Sequence, residues 1–354
     1  MDFTFKNKRV SGILTILPKK AVKFEEEMGN YSFSPAKCMK LKLAMGYKEH
    51  RIAESGQTSV DFAIHGMQYL FDNGLLHRED IDAILFVSQS PDYIMPPSSN
   101  IIQGHFGIKQ DCICMDISQG CAGFEIGLIQ SFMLLDQPAI NKVVLLNAEV
   151  LSSRTSRRDR NSWPLAGDAA AVTIVEKSDD NSTIYANIKM DGTGAFALNI
   201  PAGGFRMPST VETAVMVQDD AGNWRSKDNL VMQGDEVFNF VQREVPPMIE
   251  HLFEQSGVDR NDVDWYMFHQ PNKFMLHKLA DKLGIPHDKM PANIVENFGN
   301  ASGVTVPTCI CYNLGDRLIN GNMKLCLAGF GVGLTWSSIM MNVEGLSFCK
   351  MIEF

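Results

Sequence analysis

The sequence predicts an α/β protein in which buried sheets are covered by helices. The main observation is alternation: short apolar runs typical of strands are followed by amphipathic stretches typical of helices along most of the chain. The chain has 354 residues, which corresponds to roughly two domains of ~150 residues each. Its 45% hydrophobic and 21% charged residues are typical of a globular protein and exclude a disordered or fibrous one.

The individual elements follow from local patterns. Predicted strands cover 81–87, 112–117, 142–146, 169–175, 183–190, 265–268, 324–328 and 334–341, and predicted helices cover 100–106, 124–135, 237–253, 272–283 and 305–318. Within the helix over 237–253, Pro246 and Pro247 predict a kink. The least regular segment is 178–229, which is rich in Asp, Gly, Asn and Ser, so we place a boundary between two halves at its start.

Charge and apolar run length exclude several classes of function. The formal net charge is −9 and the isoelectric point is near 5.4, whereas nucleic-acid-binding domains are usually basic. No segment approaches the ~18 uninterrupted apolar residues of a membrane span, and the N-terminal segment lacks the pattern of a signal peptide. We therefore expect no nucleic-acid partner, no membrane association and a cytoplasmic location. The eight cysteines are expected to be free thiols, and none has the C-x2-C spacing of a zinc site, so no metal is expected.

The strongest candidate site is the segment DISQGCAGFEIG, which runs from Asp116 to Gly127. A predicted strand leads into Gly120, and a helix is expected to open at about Cys121. A thiol at a helix N-terminus is close to free N–H groups and to the positive end of the helix dipole, and both favour thiolate. The alternative for Cys121 is a buried structural cysteine.

Two further segments carry candidate polar groups. His269 ends the apolar strand of WYMFHQPNK and is a plausible acid, base or hydrogen-bond donor, or else a structural histidine. Asn300 in NFGNASGVTVP lies in a loop that leads into a helix, where its amide can donate to a carbonyl group or cap the helix.

Taken together, the motifs around these three residues resemble those of a known family. Cys121 in G-C-A-G-F, His269 in H-Q-P-N and Asn300 in G-N-A-S occur in the order and at the distances of the triad of beta-ketoacyl-ACP synthase III, a condensing enzyme of the thiolase superfamily. The resemblance covers most of the chain, including P-S-S-N-I-I-Q-G-H-F-G-I-K at 97–109, A-G-D-A-A-A-V at 166–172 and the terminal G-F-G-V-G-L-T-W.

This resemblance implies a thiolase-like α/β fold, in which two similar halves form a five-layered αβαβα sandwich, and usually a homodimer. The N-terminal half, 1–178, would carry the nucleophilic cysteine, and the C-terminal half, 179–354, would carry the histidine and the asparagine.

The resemblance also implies a decarboxylative Claisen condensation. Cys121 would take the acyl group from an acyl-CoA or an acyl-ACP (ACP, acyl carrier protein), and the backbone N–H groups of Cys121 and Val332 would form the oxyanion hole. His269 and Asn300 would then stabilise the enolate formed from malonyl-ACP or malonyl-CoA. The CoA or phosphopantetheine thioester enters as substrate, and no metal or redox cofactor is implied.

At the family's substrate-binding positions, this chain has the usual residue in some cases and a different residue in others. Arg160 and Asn272 match the family pattern, whereas Met95 stands where a phenylalanine from the partner subunit usually closes the acyl pocket. The positions of the family's CoA-clasping tryptophan and arginine are occupied by Lys40 and Ala44, and Phe274 stands where a further arginine is usual.

These differences favour a carrier-bound or unusual acyl donor. Arg157 and Arg158 belong to the basic segment SSRTSRRDRNS, which is either a solvated loop or a surface for phosphates or for an acidic carrier protein.

Two other functions remain compatible with the same residues. The acyl group could pass to an oxygen, nitrogen or sulfur acceptor without decarboxylation, in a specialised biosynthetic pathway. Alternatively, the chain could be a silent partner subunit of another synthase.

Overall fold

A computed structural model describes residues 1–354. The strands are β1 (Asp2–Phe5), β2 (Lys8–Leu17), β3 (Ala21–Lys23), β4 (Glu49–Arg51), β5 (Ala83–Val87), β6 (Ile113–Ile117), β7 (Lys142–Glu149), β8 (Ala169–Lys177), β9 (Ile184–Met190), β10 (Leu198–Asn199), β11 (Val217–Gln218), β12 (Trp224–Arg225), β13 (Val231–Met232), β14 (Trp265–Phe268), β15 (Asn322–Gly331), β16 (Thr335–Glu344) and β17 (Phe348–Glu353). The helices are α1 (Phe24–Glu27), α2 (Pro35–Met45), α3 (Ser59–Asp72), α4 (Ser98–Phe106), α5 (Gly123–Leu135), α6 (Gly234–Ser256), α7 (Lys273–Leu283), α8 (Ile294–Phe298) and α9 (Thr305–Asn313). No helix combines the length and the apolar character that crossing a membrane requires.

Two large sheets and three helical layers form the five-layered sandwich that the family resemblance implies. The first sheet has six strands in the order β17-β2-β8-β7-β5-β6, and the second has five in the order β1-β9-β16-β15-β14. Helices α5 and α9 lie between the sheets, α3 and α4 cover the outer face of the first, and α6 and α7 cover the outer face of the second. The three largest clusters of buried apolar residues accordingly comprise one central cluster and two outer clusters.

Each half contributes a strand to the sheet of the other half. The expected division at residue 178 falls between β8 and β9, which do belong to different sheets. However, β1 pairs with β9 of the second sheet, and β17 pairs with β2 of the first. The ranges 1–178 and 179–354 therefore do not separate the two sheets completely.

Most predicted elements are present, with shifts of a few residues at their ends. Helix α6 runs without a break from Gly234 to Ser256 and contains Pro246 and Pro247 in its interior. Helix α9 ends at Asn313 rather than near residue 318, because the chain turns into a short 3-10 segment at Gly315, which has a φ of 45°.

The backbones of the two halves are in direct contact at Asn300, one of the candidate site residues. Asn300 N–H donates to Leu165 O at 2.7 Å, and Gly167 N–H donates to Asn300 O at 3.2 Å. A Cβ added to Gly167 would lie 2.5 Å from Phe298 O, so only glycine fits between the two segments.

We predict that Gly167→Ala separates these segments and lowers the free energy of unfolding by about 1–3 kcal/mol, as overpacking of a buried contact does. Denaturant unfolding measures the change. Gly192→Ala is the matched control, because a Cβ there meets no atom within 4 Å, and an equal loss in both variants would contradict the role of the contact.

Candidate active site

Cys121 lies in the tight turn between β6 and α5. Its side chain is buried, and the turn closes through a hydrogen bond from Gly123 N–H to Gly120 O at 2.6 Å. A Cβ on Gly120 would overlap the Gln89 side chain, so the turn needs glycine at this position. The helix begins two residues after the cysteine, close to where the sequence places it.

The sulfur of Cys121 is surrounded by hydrogen-bond donors. The backbone N–H groups of Cys121 and Val332 are directed at the sulfur, and the Ser302 hydroxyl donates to it at 3.9 Å. A Cβ on Gly331 would lie 2.6 Å from Sγ, so β15 can pass the sulfur only because it has no side chain there. The donors expected for an oxyanion hole thus adjoin the sulfur.

The expectation of a resting thiolate is not met. Burial raises the pKa of the Cys121 thiol, and the hydrogen bonds from Val332, Ser302 and its own N–H lower it by less. The helix N-terminus is present, but desolvation of the charged form dominates, so the resting group is a thiol.

His269 follows β14 and is also buried. Its backbone N–H donates to Ala328 O at 2.7 Å, and its Nδ1 lies 2.8 Å from Thr305 Oγ1. Burial lowers the pKa of His269 to about 3. The imidazole is therefore neutral near pH 7 and suited to hydrogen bonding rather than to carrying charge.

Asn300 lies between α8 and a short 3-10 turn over 302–304. Its Oδ1 accepts a hydrogen bond from Ser302 N–H at 2.8 Å. Because this contact occupies the amide oxygen, the amide nitrogen remains available as a donor.

One cavity brings these three side chains together. It has a volume of about 500 Å³, and Cys121, His269 and Asn300 all line it. A second cavity of about 290 Å³ adjoins it at Cys121 and Asn300 and extends towards Leu151 and Ile200. The cysteine thus lies where the two cavities meet; we name the larger of these two the entrance cavity and the smaller the inner cavity.

The predicted substrate-binding residues lie in different places. Arg160 and Asn272 line the entrance cavity, although Asn272 also caps α7 by accepting from Met275 N–H at 2.8 Å. Arg157 and Arg158 do not line either cavity and stack on Trp163 and Trp224 at the surface. Met95 is 76% exposed and lies outside both cavities of this chain.

Sequence reasoning missed several residues of the site. Ser302 and Thr305 hold Asn300 and His269, and both lie within the quoted segment NFGNASGVTVP. Glu125 in DISQGCAGFEIG is wholly buried next to the cysteine turn, and the available signal was that it is the one charged residue of α5. No three His, Cys, Asp or Glu side chains are grouped so that they could hold a metal ion.

Comparison with known proteins gives a consistent picture. The family model described as 3-oxoacyl-[acyl-carrier-protein (ACP)] synthase III matches residues 115–194, and the model of its C-terminal part matches residues 253–343. The chain is 31% identical to beta-ketoacyl-[acyl-carrier-protein] synthase III of Clostridium acetobutylicum, over 84% of this chain and 87% of that protein.

Two solved structures are also similar. A 3-oxoacyl-(acyl-carrier protein) synthase from Burkholderia xenovorans superposes with a TM-score of 0.92 and 30% identity, over 100% of this chain and 99% of that one. A 3-oxoacyl-(acyl-carrier-protein) synthase III superposes with a TM-score of 0.87 and 32% identity, over 95% of this chain and 99% of that one.

We predict that the His269 ring stays uncharged from pH 8 down to pH 5 in the folded protein. Burial disfavours the protonated form, so the ring takes up a proton only as the pH falls towards about 3. NMR of ring-labelled histidine measures this, with His269→Gln used to assign the resonance. A titration midpoint near the value of ~6.5 for a free histidine would contradict the prediction.

Proposed function

The chain belongs to the 3-oxoacyl-[acyl-carrier-protein] synthase III family, and from this premise we propose that Cys121, His269 and Asn300 are its catalytic triad. The protein is a condensing acyltransferase of the beta-ketoacyl-ACP synthase III type, which joins an acyl group to malonyl-ACP with loss of carbon dioxide. The observation that supports the assignment is that side chains from three distant segments line one cavity of about 500 Å³.

In the first half-reaction, Cys121 takes the acyl group. Its sulfur forms a bond to the acyl carbon while the bond from that carbon to the donor sulfur breaks, and the donor leaves as a thiol with the proton of Cys121. The oxyanion of the tetrahedral intermediate would accept hydrogen bonds from the N–H groups of Cys121 and Val332, which already adjoin the sulfur.

In the second half-reaction, His269 and Asn300 act on the malonyl thioester. Both would donate to its carbonyl oxygen as carbon dioxide leaves, so that the electrons of the broken bond are held as an enolate. The enolate carbon attacks the acyl carbon, and Cys121 leaves with the electron pair and takes up a proton. Neutral His269 suits this task, since a charged imidazole would be expensive in the buried cavity.

Thr305 supports His269 in the donating tautomer. To donate from Nε2, the imidazole needs a partner that donates to Nδ1. Thr305 Oγ1 lies 2.8 Å from Nδ1 and 2.8 Å from Ser302 O, so its single proton can serve either acceptor. With the hydroxyl donating to Ser302 O, the imidazole proton would lie on Nδ1; in the proposed mechanism the hydroxyl turns towards Nδ1, which places the imidazole proton on Nε2.

The two cavities correspond to the two parts of an acyl thioester. The entrance cavity would hold the pantetheine arm, with Arg160, Asn272 and Phe274 near its outer end. The inner cavity of about 290 Å³ would hold the acyl chain and is lined by more apolar than polar residues.

The outer end of the entrance favours a carrier protein as acyl donor. The Arg160 guanidinium lies 4.1 Å from the centre of the Phe33 ring and donates hydrogen bonds to Ala221 O and to Asn223 Oδ1. One face of the guanidinium and one of its N–H edges are therefore already occupied by groups of this chain. Nearby, the exposed Arg157 and Arg158 present positive charge at the surface, which suits the acidic surface of an acyl carrier protein.

A homodimer is supported by apolar surface at one edge of the molecule. Strand β6 ends the first sheet and has β5 as its one neighbour, and Ile113 and Met115 on it are exposed. Tyr93, Ile94 and Met95 form a second exposed apolar group. An open edge strand with apolar side chains is a surface that a second copy can cover, and Met95 is then available to the partner.

We predict that Cys121→Ala abolishes covalent labelling by an acyl thioester. We also predict that His269→Ala and Asn300→Ala keep the label but lower condensation with malonyl-ACP by about 100-fold or more, as loss of an oxyanion donor does. Intact-protein mass spectrometry and product analysis separate the two steps.

Cys38→Ala is the control for labelling, because Cys38 is buried outside both cavities. Labelling that persists in Cys121→Ala would mean a different nucleophile, and retention of the malonyl carboxylate in the product would mean simple acyl transfer.

We predict that the protein sediments as a dimer and that Met115→Lys shifts it towards monomer, because a charge would be buried at the covered strand edge. Analytical ultracentrifugation measures this. Met190→Lys, which alters an exposed methionine on β9, serves as the control and should leave the dimer intact. A wild-type monomer at micromolar concentration would contradict the proposed dimer.

A further inference from the structure

Glu125 is a buried acid with no role in the mechanism described above. It is the third residue of α5, four positions after Cys121, and its side chain is 0% exposed. Neither carboxyl oxygen has a hydrogen-bond partner. An ionised carboxylate without a partner is costly in an apolar interior, so the group is expected to hold a proton at neutral pH. Burial raises the pKa of Glu125 to about 8.

Strand β15 shows how close this carboxyl group is to the nucleophile. A Cβ on Gly329 would overlap Oε2 of Glu125, and a Cβ on Gly331 would lie 2.6 Å from Sγ of Cys121. Residues two apart on a strand face the same side and are about 7 Å apart. The carboxyl group and the sulfur therefore lie side by side beneath one glycine-containing strand, at a separation of about that order.

Both groups also lie at the N-terminal end of α5. The positive end of a helix stabilises a negative charge within its first turn. A thiolate on Cys121 and a carboxylate on Glu125 would compete for this end and would repel each other through a medium of low dielectric constant.

We propose that Glu125 is a positioning residue for the nucleophile. While the Glu125 carboxyl group is protonated, the positive end of α5 stabilises the Cys121 thiolate alone. When the Glu125 carboxyl group ionises, its negative charge destabilises that thiolate. This proposal rests on the assignment of Cys121 as the nucleophile. Glu125 needs no access to substrate for this role, because it acts through its charge alone.

The other titratable groups around Glu125 are few. Cys121, in the turn that precedes α5, acts on Glu125, and Cys326 from β15 interacts with it. Glu149 from β7 is also coupled to Cys121, but its carboxylate accepts hydrogen bonds from Gln89 N–H and the Ser90 hydroxyl. No titratable group of β5, β8, β16 or the turn over 302–304 acts on Glu125.

The test is the pH dependence of Cys121 alkylation by iodoacetamide, followed from pH 6 to pH 10 by mass spectrometry of the peptide that contains Cys121. We expect Glu125→Gln, which keeps the shape and removes the charge, to lower the pH midpoint of alkylation. At pH 9 the variant should react about tenfold faster than the wild type, since two charges about 7 Å apart interact appreciably in a protein interior. Glu27→Gln is the matched control and should not reproduce this shift, because Glu27 is a buried carboxyl group that is hydrogen-bonded to Trp163 and His50 and lines neither cavity.

An unchanged midpoint in Glu125→Gln, or the same shift in Glu27→Gln, would overturn the proposal. A purely structural role would instead change thermal stability without moving the midpoint. If Glu125→Gln does not fold, Glu125→Met provides a second neutral side chain of similar length. Alkylation requires no acyl substrate, so this result is independent of whether the protein condenses malonyl-ACP.

Discussion

Close approach of backbone to backbone around the start of α5 is the constraint on which the rest of the structure depends. A Cβ on Gly303 would lie 2.6 Å from Gly120 O, and one on Gly331 would lie 2.6 Å from the Cys121 sulfur. Gly167 and Gly299 allow the same approach where the two halves cross. These glycines let the two halves close on one cysteine, so that donors from both reach its sulfur without a side chain intervening.

Burial then determines the charge state of the site. Desolvation raises the pKa of the Cys121 thiol and of the Glu125 carboxyl group and lowers the pKa of His269, so the resting groups are all neutral. A neutral, largely water-excluded site is well suited to a reaction in which charge develops only transiently, because preoriented donors act on it most strongly in a medium of low dielectric constant.

In the proposed function, selectivity for the acyl donor depends on the entrance cavity rather than on the triad. There Phe238 and Phe274 stack with ring centres 5.8 Å apart, and Arg160 is engaged by Phe33 and by the loop that carries Asn223. Phe274 stands where the family that the sequence resembles usually has an arginine, whereas Arg160 matches the family pattern. In the proposed function, the triad carries the chemistry, and the residues of the entrance cavity recognise the acyl donor.

The sequence alone predicted the α/β class and the positions of eight strands and five helices, because apolar periodicity is a local signal. Its short motifs also resemble those of a known family, and this resemblance implied the layer order and the candidate triad. Tertiary structure decided the rest. The exchange of β1 and β17 between the sheets depends on pairing across the whole chain. The protonated state of Cys121 and the partnerless burial of Glu125 depend on desolvation, which no local pattern encodes because it is created only when distant segments pack together.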